Sequence, residues 1–356
     1  MVPYGNSNLT ALASPSGGTF TWSVSDSSIL TISSSAATAT ILGKRPGITD
    51  LTVTYTNGTL TASFTRQIIV SYPVILVHGI SSGAIGWSNL IFALQSRGLL
   101  YDSDGFCRSS FSQYDFCALD FGTDPYVPEG NNGNFIIQGF RLSQAISSIL
   151  SQVGADKVSL VAHSMGGLVS RAAIQLHSAG NSVSRLITIG TPHQGSAWPR
   201  LSGVSLLNVF SQALSLTGFV PPLTSAGAVA MNPSSQELRQ LNVDYRDRLY
   251  GYPDITHVSI VARAPAQGTP LLQSIDAVCA SFLPPLPVPP DCQILNQYRP
   301  EFVAMLQDGD LAVAARSQDI LNVAPNLSRL TEPPLTLIHR NEITQVDIFL
   351  RYLNIP

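Results

Sequence analysis

The chain has 356 residues, 44% hydrophobic and 12% charged, against ~25% charged in an average soluble domain. A formal net charge of −3 excludes a disordered polyelectrolyte and gives no basic surface for nucleic acid. The mean hydropathy is +0.20, yet no run of ~20 apolar residues is present to cross a bilayer.

The first seventy residues have a composition of their own: 24 are Ser or Thr and five are charged. Alternating runs recur at Phe20–Val24, Ile29–Ile32, Ala39–Leu42, Leu51–Tyr55 and Leu60–Phe64, separated by turn signals such as Arg45-Pro46-Gly47 and Asn57-Gly58. Period-two patterning with a turn about every ten residues predicts an all-β sandwich over residues 1–70. The run Trp22 to Asp26 and the turn and strand from Pro46 to Val53 resemble those of bacterial Ig-like domains. That resemblance implies a spacer or binding appendage whose opening strand is short or missing.

After Ser71 the texture changes. Val74–Val77 is a continuous apolar run, as expected for a strand buried on both faces of a parallel sheet. Helical spacing follows at Trp87–Arg97, and residues 114–119 suit a strand. Then come a helix over 140–153, a strand over 158–162, a helix over 165–179 and strands over 186–189, 258–262 and 335–338. A helix over 344–353 closes the chain. This alternation predicts an α/β fold, a doubly wound and mostly parallel sheet, over residues 71–356. An insert of helical cap type is expected at about 196–250. Residues 201–230 carry twelve Val, Leu or Phe side chains and no charge, which suits a lid offering apolar surface to substrate or a cap packed on the core. The Pro-rich segment 264–290 reads as a loop forming another wall of the cleft.

Four cysteines stand as two close pairs, Cys107 with Cys117 and Cys279 with Cys292, and no Cys-x-x-Cys occurs. Two local disulfides are the expectation, against four separate buried thiols, and disulfides imply an oxidising compartment. Residues 1–5 have neither the basic patch nor the apolar run of a signal peptide, so a secreted, mature form is expected.

The segment Val158 to Leu168 is a strand, a tight turn at Ser164 and a helix, the arrangement of a nucleophile elbow. Ala162 and Gly166 are the small residues required two before and two after the serine. Met165 N–H and Ile80 N–H, the latter after the strand at 74–77, are the expected oxyanion donors, while His78 suits a structural hydrogen bond. The chain order Ser, acid, His selects the base among six histidines. His78 and His163 precede Ser164, His177 lies in the next helix, His193 follows a strand directly, and His257 begins one. His339, after the strand at 335–338, is where a base belongs. Asp308 and Asp310 are the two candidates for the acid, with the apolar run after Asp310 favouring it.

These residues resemble those of the α/β-hydrolase bacterial lipases and esterases: Pro73–Gly79, Ala162–Gly167 and Gly190–Ser196 stand in order. Asp310 through Gln318 is similar to a family segment whose leading Asp is the triad acid, although Leu311 stands where Gly is usual. The resemblance implies a carboxylic ester hydrolase with the triad Ser164, Asp310 and His339 and no organic cofactor. In some relatives a calcium ion braces the histidine loop through positions equivalent to Asn341 and Gln345; only one of these matches, so the resemblance leaves a structural calcium ion possible without predicting it. The expected partner is an apolar ester, lipid or polyester met at a lipid interface by a monomer. An acyltransferase with the same triad and an adhesin led by the Ig-like part are the rivals.

Overall fold

The computed structural model describes residues 6–13, 16–107, 114–201, 223–281 and 289–355. The N-terminal part contains β1 (Asn6–Thr10), β2 (Thr19–Val24), β3 (Leu30–Ser35), β4 (Thr38–Gly43), β5 (Gly47–Asn57) and β6 (Leu60–Val70). They form two antiparallel three-stranded sheets, ordered β1-β4-β3 and β2-β5-β6. The opening strand is therefore present, five residues long and paired with β4. The alternation works as the pattern requires: Leu30 and Ile41 from one sheet meet Leu51, Ile68 and Val70 from the other in a shared core. The opposite face of β5 and β6 carries cross-strand hydroxyl pairs, Thr52 with Thr65 at 2.9 Å and Thr54 with Ser63 at 2.8 Å.

The second part is built on a seven-stranded parallel sheet. Its strands are β7 (Val74–Val77), β8 (Tyr101–Asp102), β9 (Phe116–Ala118), β10 (Val158–His163), β11 (Val183–Ile189), β12 (Thr256–Ile260) and, after the short β13 (Ala262–Arg263), β14 (Arg329–Thr331). Their order is β14-β12-β11-β10-β7-β9-β8. Successive residues of the central strands face opposite layers. Ile75, Val77, Leu160, Ala162 and Leu186 enter one core, and Val74, Leu76, Val161, Ile187 and Ile189 the other. Burial on both faces is why these strands read as unbroken apolar runs.

Helix α1 (Ser88–Ser96) covers one layer together with the C-terminal helix, while α2 (Phe135–Val153) and α3 (Met165–Leu176) cover the other. Helix α2 begins five residues before the position expected from its apolar spacing. Asn134 caps it by accepting the Ile136 N–H at 2.9 Å, and Gly154, left-handed at φ 69°, ends it. The two disulfides pair as the spacing suggested, Cys107 with Cys117 and Cys279 with Cys292.

Two expectations need correction. Segment 264–290 is not a loop throughout: α4 (Pro265–Ala280) occupies most of it, followed by α5 (Pro290–Gln297) and α6 (Arg299–Gln307). Leu271, Leu272 and Ile275 pack on Phe302, Met305 and Leu306. A methyl group on Gly268 would lie 1.6 Å from the Leu306 carbonyl oxygen, so the glycine that looked like a breaker is what lets two helices touch. Tertiary packing outweighs the local penalty of Pro270 inside α4. Second, the strand expected at 335–338 is only β15 (Leu335–Thr336), and it pairs with β13 outside the main sheet. Pro333 and Pro334 immediately precede it and cannot donate to a ladder; β14 takes the seventh place instead. The C-terminal helix, α7 (Val346–Leu353), starts two residues later than expected.

Candidate active site

Ser164 stands between β10 and α3 with φ 52° and ψ −129°, a strained setting for a residue with a Cβ. The reason for small residues around it is visible in distances. A methyl group at Gly166 would sit 2.3 Å from the Val77 carbonyl oxygen, and one at Gly79 would sit 2.7 Å from Ser164 Cβ. The end of β7 is thus packed directly against the serine. Ile80, in the turn after β7, and Met165, first residue of α3, are both buried. Neither backbone N–H has an acceptor among the described residues, as expected of donors reserved for a bound group.

His339 and Asp310 converge on this serine across 175 and 146 residues of sequence. The Ser164 hydroxyl donates to His339 Nε2 at 2.7 Å, and His339 Nδ1 donates to Asp310 Oδ2 at 2.8 Å. All three side chains are almost fully buried. Asp310 Oδ1 accepts the backbone N–H groups of Ala312 at 2.8 Å and Val313 at 2.7 Å, and Oδ2 also accepts Gln318 Nε2 at 3.1 Å. Burial alone would raise this carboxyl, but the His339 charge and these hydrogen bonds hold it below the usual carboxylate range. Asp308, by contrast, is exposed and pairs with Arg263 at 3.1 Å.

Leu311 has φ 80°, the left-handed region that favours glycine. The departure from the family pattern noted after Asp310 therefore has a backbone cost. Two things hold the residue there: its side chain is buried, and its carbonyl accepts Trp198 Nε1–H at 3.1 Å. The Ser317-Gln318 pair also acquires a role. Gln318 binds both Asp310 and the backbone of Ala262, while the Ser317 hydroxyl donates to Gly195 O at 2.8 Å and accepts Gln194 N–H at 3.0 Å. The acid loop is thereby tied to the segment Gly190–Ser196.

His78 does make a structural bond, Nδ1–H to the Gly79 carbonyl at 2.7 Å. His193 and His257 are buried away from the serine's hydrogen-bond chain, and burial lowers the pKa of both, that of His257 to about 4. His163 packs beneath the base with ring centroids 4.7 Å apart and donates Nε2–H to the His339 carbonyl at 3.1 Å. Burial, then the nearby His339, lowers it to about 3, so it stays neutral.

Glu342 was not anticipated. Its carboxyl is fully buried, with Oε2 3.3 Å from His163 Nε2 and 3.4 Å from His339 Nδ1. Burial first, and then the Asp310 charge, push it well above the usual carboxylate range, so it is held protonated. Its spacing of three residues after His339 was the available signal; only the short helical turn His339–Thr344 brings it inward.

The Asn341 carbonyl accepts the Thr344 hydroxyl, and Gln345 Nε2 donates to that hydroxyl at 3.3 Å. Among the described residues the one cluster of three His, Cys, Asp or Glu groups close enough to share an ion is His163, His339 and Glu342, a nitrogen-rich set that does not suit calcium. Residues 202–222, most of the expected apolar lid, lie outside the described residues. The described end of that insert does reach the site: Ala228 and Met231 line the cavity beside Ser164. No helix among the described residues is long and apolar enough to cross a membrane.

Residues 69–213 match the family described as PGAP1-like alpha/beta domain. A triacylglycerol lipase of Pseudarthrobacter phenanthrenivorans is 33% identical over 128 residues, covering 35% of this chain and 34% of its own. One of Burkholderia plantarii is 33% identical over 128 residues, covering 35% and 30%. The chain thus spans about a third of the length of the curated relatives it matches. Among solved structures, the lipase BlEst2 of Bacillus licheniformis in its propeptide form is similar at a TM-score of 0.48 and 17% identity, over 80% of this chain and 51% of that one.

Proposed function

We propose that this chain, an α/β-hydrolase of the lipase and esterase family through residues 69–213, cleaves carboxylic esters with Ser164 as nucleophile. The observation that carries the reading is the buried, unbroken hydrogen-bond chain from Ser164 through His339 to Asp310. His339 Nε2 takes the hydroxyl proton as Ser164 Oγ attacks the ester carbonyl. Asp310 holds the tautomer that leaves Nε2 free to accept and stabilises the imidazolium. The N–H groups of Ile80 and Met165 receive the oxyanion. As the tetrahedral intermediate collapses, His339 returns the proton to the departing alcohol, and the same base then activates water to release the acyl enzyme.

The N-terminal sheets serve, on this reading, as an Ig-like spacer of a secreted enzyme, a setting that two disulfides favour. The triacylglycerol lipase relatives and the apolar lining beside Ser164 support an acyl ester over a peptide or charged substrate. The deciding experiment is p-nitrophenyl ester hydrolysis by Ser164→Ala and His339→Ala. Each is expected to lower kcat by roughly 10⁶-fold, as the loss of a triad member does when the members act as a unit. Retained hydrolysis in Ser164→Ala removes the reading.

A further inference from the structure

Among the described residues, the cavity that Ser164 and His339 line is small. Its free volume is about 10 Å³, roughly what one water molecule needs. The wall is apolar, with Trp198, Met231, Ala312 and Val313 facing Ser164 and His339. A much larger cleft, about 750 Å³, lies at the opposite ends of the strands, where Val74, Ser159 and Thr256 begin the sheet beside the N-terminal part. It contains none of the three triad residues and offers no room to an acyl chain bound at Ser164.

Trp198 is held in its place in the wall. It is 6% exposed, and its indole N–H is bonded to the Leu311 carbonyl at 3.1 Å. Its backbone N–H donates to Ser196 Oγ at 3.3 Å, and that hydroxyl donates to the Ala312 carbonyl at 2.7 Å. Both acceptor carbonyls belong to the acid loop, directly after Asp310. A group that displaced the ring would leave the indole N–H and the Leu311 carbonyl unpaired in a buried place, which is costly. The ring is thus anchored by the same segment that presents the catalytic acid.

We propose that Trp198 is a specificity-determining residue that closes the acyl side of the site, so that short acyl esters such as acetate and butyrate are accepted in preference to long fatty acyl esters. This rests on the ester-hydrolase reading above. It also divides that reading, because an apolar wall suits acyl groups in general while a small cavity admits only small ones. Among the described residues, an acyl chain that outgrows this cavity meets the Trp198 ring, and each methylene misplaced in an apolar pocket costs about 10-fold or more in kcat/KM.

The test is kcat/KM on p-nitrophenyl acetate, butyrate and octanoate for the full chain and for two variants. The unaltered chain is expected to favour acetate or butyrate over octanoate by at least about 10-fold. Trp198→Ala should shift the octanoate-to-acetate ratio upward by about 10-fold or more. Trp198→Phe, which keeps a ring in the wall and removes the N–H, should keep the original ratio while lowering kcat on all three esters. Inactivation of the unaltered chain by ethyl and octyl p-nitrophenyl phosphonates gives a second measurement that needs no variant to fold, and the ethyl compound should react faster. A preference for octanoate in the unaltered chain, or an unchanged ratio in folded Trp198→Ala, overturns the assignment. If Ser164→Ala hydrolyses the same esters, the ester-hydrolase reading fails instead, so the two failures are distinct.

Discussion

The two parts of the chain use their polar residues in opposite ways. In the N-terminal part the hydroxyl pairs Thr52 with Thr65 and Thr54 with Ser63 lie on an open sheet face, and Ile29, Leu30, Ile41, Leu51, Ile68 and Val70 cluster in the core. Asp26, the one described residue there with a displaced titration, is partly exposed, and bonds from Ser28 lower it. In the catalytic part, Asp310, Glu342, His163, His193, His257 and Arg171 are all buried. A sandwich built on alternation needs only pattern, so its polar residues contribute little individually. A site that holds a serine, a base and an acid together must bury groups that prefer water, and each is a point where one substitution has a large effect.

The sharpest way to break this contrast is within the catalytic part itself. Asp310→Asn, which presents the wrong hydrogen-bond partner to His339, is expected to lower kcat by about 10⁴-fold. Asp308→Asn, two residues away but exposed and paired only with Arg263, should change it less than about 2-fold, within the small energy of a surface ion pair. Steady-state rates on one soluble ester decide between them. Equal losses would mean that the acid is not singled out by burial.

A smaller effect appears in the pH dependence of stability. The folded pKa of His257, about 4, lies below its ordinary value because of burial. Its neutral form therefore contributes stability that is full above pH ~6.5 and falls as the pH drops towards 4, by about 2 kcal/mol at pH 5. Asp115 has the opposite sign. Burial raises its carboxyl to about 6, so the cost of ionising it is absent below its unfolded value near 3.8 and present above 6. Stability from this group falls as pH rises through that window, by roughly 1 to 2 kcal/mol after allowance for its partial exposure. Urea unfolding at pH 5 and 8 should show the difference between the two pH values moved in one direction by His257→Leu and in the other by Asp115→Asn. Shifts of the same sign would contradict the assignment of both to burial.

The smallest effect belongs to the N-terminal part. Thr54→Ala deletes one hydroxyl of the pair with Ser63 and should cost no more than about 0.5 kcal/mol in urea unfolding, since water replaces the lost partner. A loss of several kcal/mol would show that the hydroxyl face is structural in its own right and would erase the distinction between the parts.

Much of this was legible in the residues alone, for reasons that differ from element to element. Strands β7, β10 and β11 were readable because burial on two faces demands unbroken apolar runs. The elbow was readable because crowding at Ser164 excludes large residues at fixed offsets. His339 followed from chain order. Segment 264–290 was misread because its prolines and Gly268 carry local turn signals, while the contact with Leu306 that makes Gly268 necessary is tertiary. Residues 335–338 were misread because apolar content does not reveal which ladder a strand joins.

The sequence by itself determined which side chains exist and at what local spacing: a sandwich pattern, a serine on a tight turn, a base near the end, cysteines in two close pairs. Only the tertiary structure separates Asp310 from Asp308: two residues apart in the chain, one is buried and bonded to His339 and the other is exposed beside Arg263. It also placed Glu342 inward and set Trp198 against the acid loop. Those outcomes depend on distances between segments from 29 to more than a hundred residues apart, and local pattern contains no measure of such distances.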